Sequence, residues 1–113
     1  MREADLLWSL LVKKRDGGRC QWPGCPNVGN NAHHAFSRKH LGTRWCVDVG
    51  VTLCWAHHLH LAHGEPELFR DFLLERWGEE KFNTLKLLAY TPQKIDVGMV
   101  LIGLKLLAKE MKC

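Results

Sequence analysis

Cys20 and Cys25 are separated by four residues in a Pro/Gly-rich stretch, Cys20-Gln-Trp-Pro-Gly-Cys25, and further on the chain reads Cys54-Trp-Ala-His57. Two pairs of soft ligands, each with short internal spacing, suit a tetrahedral Cys3His zinc site. The loop brings two thiolates to one side of the ion. The first turn of a helix presents Cys54 and His57, three apart, on one face. A closed four-ligand site leaves no position for substrate, so the Zn2+ is expected to be structural, tying the 20–32 loop to a 54–63 helix. Ordinary buried cysteines are the plainer reading, and it would fit one such pair better than two. Of the five cysteines, Cys46 and Cys113 are left over. Cys46 reads as a small buried residue and Cys113 as a terminal thiol open to cross-linking on oxidation.

Between the two pairs lies Ala32-His33-His34-Ala35-Phe36-Ser37-Arg38, and His58 and His63 follow the second pair. Adjacent residues point about 100° apart on a helix and to opposite faces on a strand. His57 can therefore ligate zinc while His58 faces a second site. One His of each adjacent pair can converge on a second metal while His34 stays free as a base. Phosphodiester hydrolysis needs an in-line nucleophile, a positioned base and charge stabilisation at the scissile oxygens. A neutral imidazole near pH 7 can take a proton from water. Arg38, Lys39 and Arg44 follow the base and are candidates for DNA phosphate contacts, the arginines bidentately. For any single His the plainer alternative is a satisfied core or surface residue.

Those side chains need elements to hold them. Leu6, Leu7, Leu10 and Leu11 repeat at helical spacing, predicting a helix over 3–15 that ends at Asp16-Gly17-Gly18. Residues 20–32 read as a loop or knuckle. A short strand is expected over 33–36, then a loop with Arg38, Lys39 and Gly42. A second strand follows over 47–53, with a turn near Asp48-Val49-Gly50. Residues 54–63 read as a short helix ended by Gly64. Glu65-Pro66-Glu67 starts a helix with an apolar face of Leu68, Phe69, Phe72, Leu73 and Trp77, stopped by Gly78. Another helix over 79–90 uses Phe82, Leu85, Leu88 and Ala89. Thr91 as N-cap and Pro92 at N1 predict a final helix over 92–111. Its stripe of Val97, Val100, Leu101, Leu104, Leu107 and Met111 widens to Met99, Ile102 and Leu106. That width implies either a homodimer through this helix or burial on two sides. The expected class is α+β in a single domain over 1–113, with a zinc-stapled hairpin-plus-helix core over 20–64 and a helical extension over 65–113.

Composition narrows the function classes. A 46% apolar chain of 113 residues suits one globular domain. No run of about 18 apolar residues exists, so no membrane span is expected. Arg2, Glu3 and Asp5 do not read as a signal peptide, which places the chain in the cytosol. The net charge is +4, unevenly distributed. From Lys13 to Arg44 there are seven basic residues against one acidic, a surplus of +6. Such a cluster is either a face for a polyanion or a solvated surface.

Cys-x4-Cys, then His-His, then Gly-Val-Thr-Leu-Cys-x2-His-His, resembles the HNH endonucleases (the ββα-metal or His-Me finger family), in particular short phage-type members. The resemblance covers about residues 5–90. It implies a ββα-metal core and a phage or prophage origin. It also implies one divalent ion, Mg2+ or Mn2+, in the catalytic position, and a His that activates water against a phosphodiester. Residue by residue, His33 takes the first metal-ligand position, His34 the general base and His58 the helix metal ligand. His63 is a candidate third ligand, although its spacing of five from His58 is one more than the helical four. His60 points off that face. The family's middle Asn falls at Val49, whose side chain cannot brace the base loop. Asp48 either takes over that bracing of His34 or is a turn residue.

The expected function is a metal-dependent endonuclease that nicks or cuts double-stranded DNA. The rival is a zinc-stapled DNA-binding module, or a degenerate HNH protein without catalysis. The His33-His34 pair beside a ligand helix distinguishes them, since a binding module needs no such pair. A Cys/His hydrolase fits less well, because zinc makes better use of the cysteines.

Overall fold

Helix α1 runs Arg2–Arg15 in the computed structural model, which describes residues 2–111; Cys113 lies outside the described residues. Glu3 and Asp5 sit in its first turn and Lys13, Lys14 and Arg15 in its last, a distribution that complements the helix dipole. Its buried face is Ala4, Trp8, Leu11 and Val12, an i, i+4, i+7, i+8 stripe. Leu6 and Leu10, expected in the apolar face, are exposed. The large Trp8 ring, with Val12 one turn on, sets which side of α1 meets the rest of the chain. Gly17 and Gly18 end the helix at φ 65° and 70°. Their N–H groups return to the Lys14 and Lys13 carbonyls at 3.1 and 2.9 Å, a conformation that disfavours any residue with a Cβ.

A knuckle follows, closed by a bridge between Arg19 and Val28. Strand β1 (Asn31–His34) then pairs antiparallel with β2 (Gly50–Leu53), placing His33 opposite Val51 and His34 opposite Gly50. The first strand lies two residues earlier than the 33–36 expectation. The connection holds a short helix, α2 (Leu41–Arg44), where a loop was expected, and a 3-10 turn over Val47–Val49, so that β2 begins only at Gly50. Residues directly opposite in an antiparallel pair share a face. Val51 and Leu53 face one hydrophobic cluster with Phe69, Phe72, Leu73 and Phe82. On the other face, the Thr52 hydroxyl donates to the Val12 carbonyl of α1 at 3.4 Å. A Cβ on Gly50 would run into Trp8 and Val12. Every residue of β2 is buried, because helices cover both faces of the hairpin.

After β2, α3 (Trp55–His57) passes directly into a π turn over His58–Ala62. The helices α4 (Pro66–Trp77) and α5 (Glu79–Tyr90) meet at Gly78. Helix α6 (Val97–Glu110) starts five residues later than the sequence suggests. Asp96 is its N-cap, with Oδ1 accepting from the Gly98 and Met99 N–H groups at 2.9 and 3.3 Å. The Thr91 hydroxyl instead donates back to the Leu87 carbonyl of α5 at 2.6 Å. Thr91 therefore satisfies a carbonyl left over at the end of one helix rather than opening the next. A second cluster joins Ala4, Trp8, Leu11, Val12 and Trp45 to Leu104 of α6. Met99, Ile102 and Leu106 are 65%, 56% and 57% exposed. Helix α6 is thus buried on one side only, and the expected homodimer contact would fall on the other. Among the described residues no helix is long and apolar enough to cross a membrane. The observed class is α+β, with six α-helices and a two-stranded antiparallel sheet among the described residues.

Asp16 fastens these parts together. Its side chain is only 3% exposed. The carboxylate accepts from Arg15 at 2.8 and 3.0 Å, from Arg76 of α4 at 3.2 Å and from the Thr52 N–H of β2 at 3.0 Å. Burial pushes its pKa up, but the Arg15 and Thr52 hydrogen bonds outweigh that and hold it below the usual carboxylate range. Breaking a buried pair costs about 3–5 kcal/mol, and the arginines are partly solvated, so Asp16→Ala is expected to cost near the low end. Chemical denaturation at pH 7 checks this. Because the folded pKa is depressed, the contribution is present above the unfolded value of about 3.9 and is lost as pH falls through the folded value. The gap between wild type and Asp16→Ala should therefore narrow below pH 4.

Candidate metal centre and adjoining cleft

The knuckle and the start of α3 bring Cys20, Cys25, Cys54 and His57 together, with all four donor atoms within 4.8 Å of one another. His57 Nδ1 lies 3.3 Å from the sulfurs of both Cys20 and Cys54, and the Cys25 and Cys54 sulfurs are 4.0 Å apart. Donors about 2.0–2.3 Å from the centre of a tetrahedron lie about 3.3–3.8 Å from each other. The four side chains therefore fit a tetrahedral metal such as zinc, and the sequence spacing identified the same set. Burial pushes the Cys20 thiol up to about 11, and a cation at the centre would offset that cost. Around the donors, the Asn27 amide donates to Cys54 Sγ at 3.9 Å. The Trp22 ring stacks on His57 at 5.6 Å. Cys46 is half-buried and outside the group, and burial raises its thiol pKa.

A second group forms on the far side of the same helical segment. The donor atoms of His33, His58 and His63 also lie within 4.8 Å of one another, and His58 Nε2 is 3.2 Å from His63 Nε2. The spacing of five between these two residues does not match an α-helix. It does match the π turn over His58–Ala62, whose i to i+5 bonding returns the chain to the same face one residue later. Strand β1 supplies His33, whose ring meets His58, His63 and Phe69 edge-on at 5.1, 5.3 and 5.1 Å. His60 is not among the three. Burial, reinforced by His58 and His63, pushes the His33 imidazole down to about 3. Burial and then His63 lower His58 as well. Imidazoles held neutral offer lone pairs to a metal ion without competition from protons.

His34 lies on the opposite face of β1. Its ring stacks on Trp8 with centroids 3.8 Å apart and planes 10° off parallel. Its Nε2 lies 3.0 Å from the Arg44 carbonyl oxygen. A carbonyl only accepts, so Nε2 carries the hydrogen and Nδ1 is the basic nitrogen. Burial lowers the His34 pKa, outweighing the Arg44 carbonyl, which raises it. His34 shares a cleft of about 560 Å³ with His33, His58, His63 and Arg38.

The remaining expected site residues fall in different places. Arg38 and Lys39 are exposed, Arg38 at the cleft rim. Arg44 is turned inward, its guanidinium bonded to Asp5 at 2.8 and 3.1 Å. Its side chain is therefore occupied, and a free phosphate contact is not its place in the fold. Asp48 is 62% exposed and pairs with Lys81 at 3.8 Å. It does not brace His34, because backbone does that instead, through the Arg44 carbonyl. Val49 is fully buried and its own carbonyl accepts from the Ala35 N–H at 3.0 Å. Arg15 is likewise bound internally, to the Val47 and Gly50 carbonyls at 2.7 and 2.6 Å, so the Lys13–Arg44 charge surplus is partly consumed inside the fold. Sequence reasoning missed Trp8 and Asn27. The one signal for Trp8 was its place on the Ala4–Leu11–Val12 stripe, and no signal marked Asn27.

Comparison with protein-family models, with curated proteins and with solved structures returns no match.

Metal analysis should find one tightly held ion per chain at Cys20, Cys25, Cys54 and His57. Chelation or Cys54→Ser is expected to lower Tm by more than about 10 °C, since structural metal energy is folding energy. A metal-free native protein whose melt ignores a chelator would exclude the centre.

Proposed function

We propose that the chain is a metal-dependent DNA endonuclease of the HNH type, with a structural zinc at the Cys3His group and a hydrolytic site in the adjoining cleft. The carrying observation is the convergence of His33, His58 and His63 beside a fourth imidazole, His34, whose Nδ1 makes no hydrogen bond among the described residues. The hairpin from β1 and β2 followed by α3 supports reading the core as ββα-metal. A structural centre alone would not call for a second histidine group.

His34 is the general base. Its Nε2–H is held by the Arg44 carbonyl, its ring is held by Trp8, and Nδ1 takes the proton of the attacking water. Its depressed pKa keeps it neutral at pH 7, as a base requires. Arg38 at the cleft rim contacts a phosphate, with Lys39 next to it. His33, His58 and His63 would hold a divalent ion, which would supply Lewis acidity toward a phosphodiester. Three nitrogen donors and no carboxylate suit Mn2+ or a later transition metal better than Mg2+, which prefers oxygen ligands. Val49 lacks the side-chain brace expected at its position, and the backbone bonds of Val49 and Arg44 do equivalent work.

A plasmid-nicking assay tests the reading. Wild type should relax supercoiled plasmid with Mn2+, less with Mg2+, and not with EDTA. His34→Ala should lose about 10²–10⁴ in rate, the usual worth of a general base, while keeping its fold and metal. Plasmid left supercoiled with every divalent ion tried would favour a zinc-stapled DNA-binding module instead.

A further inference from the structure

The histidine cleft does not end at His33. That residue, with Ala35 and Ala62, also lines a neighbouring pocket of about 380 Å³ that runs between α4 and α5. Phe36, Arg70, Lys86 and Tyr90 also line this pocket. None of these is assigned a role by the nuclease reading above. We infer that this pocket takes one unpaired nucleotide next to the scissile phosphate, with its base against Phe36 and Tyr90 and its phosphate between Arg70 and Lys86. The inference rests on that nuclease reading and narrows its substrate from paired DNA to a strand with an unpaired nucleotide at the cut.

Charge carries the first half of the argument. Arg70 on α4 and Lys86 on α5 line one pocket, and among the described residues neither makes an ion pair. Two cations lining one pocket with no carboxylate among the lining residues favour an anionic ligand there. The Arg70 guanidinium lies over the Phe82 ring, 5.6 Å from its centroid. That contact holds its stem while leaving its N–H groups for a ligand. The basic track continues past Tyr90, whose ring meets His40 at 4.5 Å, to Lys39 on the next stretch of surface.

Ring chemistry and size carry the second half. Tyr90 is 62% exposed and Phe36 half-buried, so both have surface to offer a flat ligand. A base within a duplex has both faces covered by its neighbours and can stack on protein only when unpaired. The volume is at the small end of ligand pockets, which fits one nucleotide rather than a base pair. Alternating cationic and aromatic side chains along a groove are the pattern of single-strand binding surfaces.

The test uses the full chain carrying His34→Ala, so that nothing is cut. Anisotropy of a labelled 12-nucleotide oligothymidylate and of a blunt 12-base-pair duplex gives the two affinities. The single strand should bind at least about 10-fold tighter. Adding Lys86→Ala or Arg70→Ala should weaken single-strand binding and flatten the log K against log salt slope by about 0.7 each. Adding Tyr90→Ala should weaken it about 5-fold or more with the slope unchanged, while Tyr90→Phe should not. All three residues are exposed, and circular dichroism confirms that each variant folds. Equal affinity for strand and duplex, no effect of the three variants, or equally good displacement by polyglutamate would overturn the proposal. Wild type with Mn2+ separates the two readings. Plasmid and labelled single strand both left uncut, together with pocket-dependent strand binding, sink the nuclease and keep the pocket. Nicked plasmid together with indifferent variants does the reverse.

Discussion

The Asp16 carboxylate is the point at which three distant segments become one structure. It sits just past the C-terminus of α1, where the helix dipole opposes a negative charge, and it is almost fully buried. The first condition is mildly unfavourable and the second costly unless the charge is paired. Arg15, Arg76 and the Thr52 N–H together make it stable there, and in doing so they fix α1, α4 and β2 relative to one another. The placement of α1 follows from this anchor. Trp8 lies over Gly50 because only a glycine leaves room for it, and from there its ring reaches His34, the strand partner of Gly50.

The hairpin then divides the work between two adjacent side chains. Pleating sends His33 toward the π turn and α4 and His34 toward α1. Each meets a different environment: two further imidazoles for His33, an indole face and a backbone carbonyl for His34. Both rings are buried enough to stay neutral. In one case the neutral form leaves a group of lone pairs that could hold a metal ion, and in the other an imidazole with one defined tautomer. The same division occurs on the helix, where adjacent His57 and His58 serve the two groups.

Much of this was legible in the sequence, and what was not has physical reasons. The four donors at Cys20, Cys25, Cys54 and His57 follow from spacing within short segments, which fixes local geometry, whereas the trio of His33, His58 and His63 came from the family resemblance, with His63 one residue off the helical spacing until the π turn accounts for it. Helices α4 and α5 followed from periodicity and from Pro66 and Gly78. Long-range partners left no such trace. Nothing near Arg44 in sequence announces that Asp5, 39 positions away, takes its guanidinium. Nothing near Asp48 shows that Lys81 is its neighbour. The brace on His34 is a main-chain carbonyl, which no residue type encodes. The start of α6 was misread because Thr91-Pro92 is a good local signal that lost to Asp96, whose carboxylate caps two N–H groups. The α1 face was misread because leucine counting overlooked a single, larger tryptophan.

The π turn gives the His58–His63 stretch a mechanical character of its own. A π turn is a rare, single-turn departure from the regular helix, and here it carries two of the three imidazoles. Any ligand that bridges the two imidazoles would clasp both ends of that turn and stiffen it. Occupancy of the histidine group would then be felt as rigidity along the segment running from Cys54 to Pro66, and amide exchange there would slow on loading. The irregular turn that brings two histidines together also makes the local stiffness of the chain a reporter of what they hold.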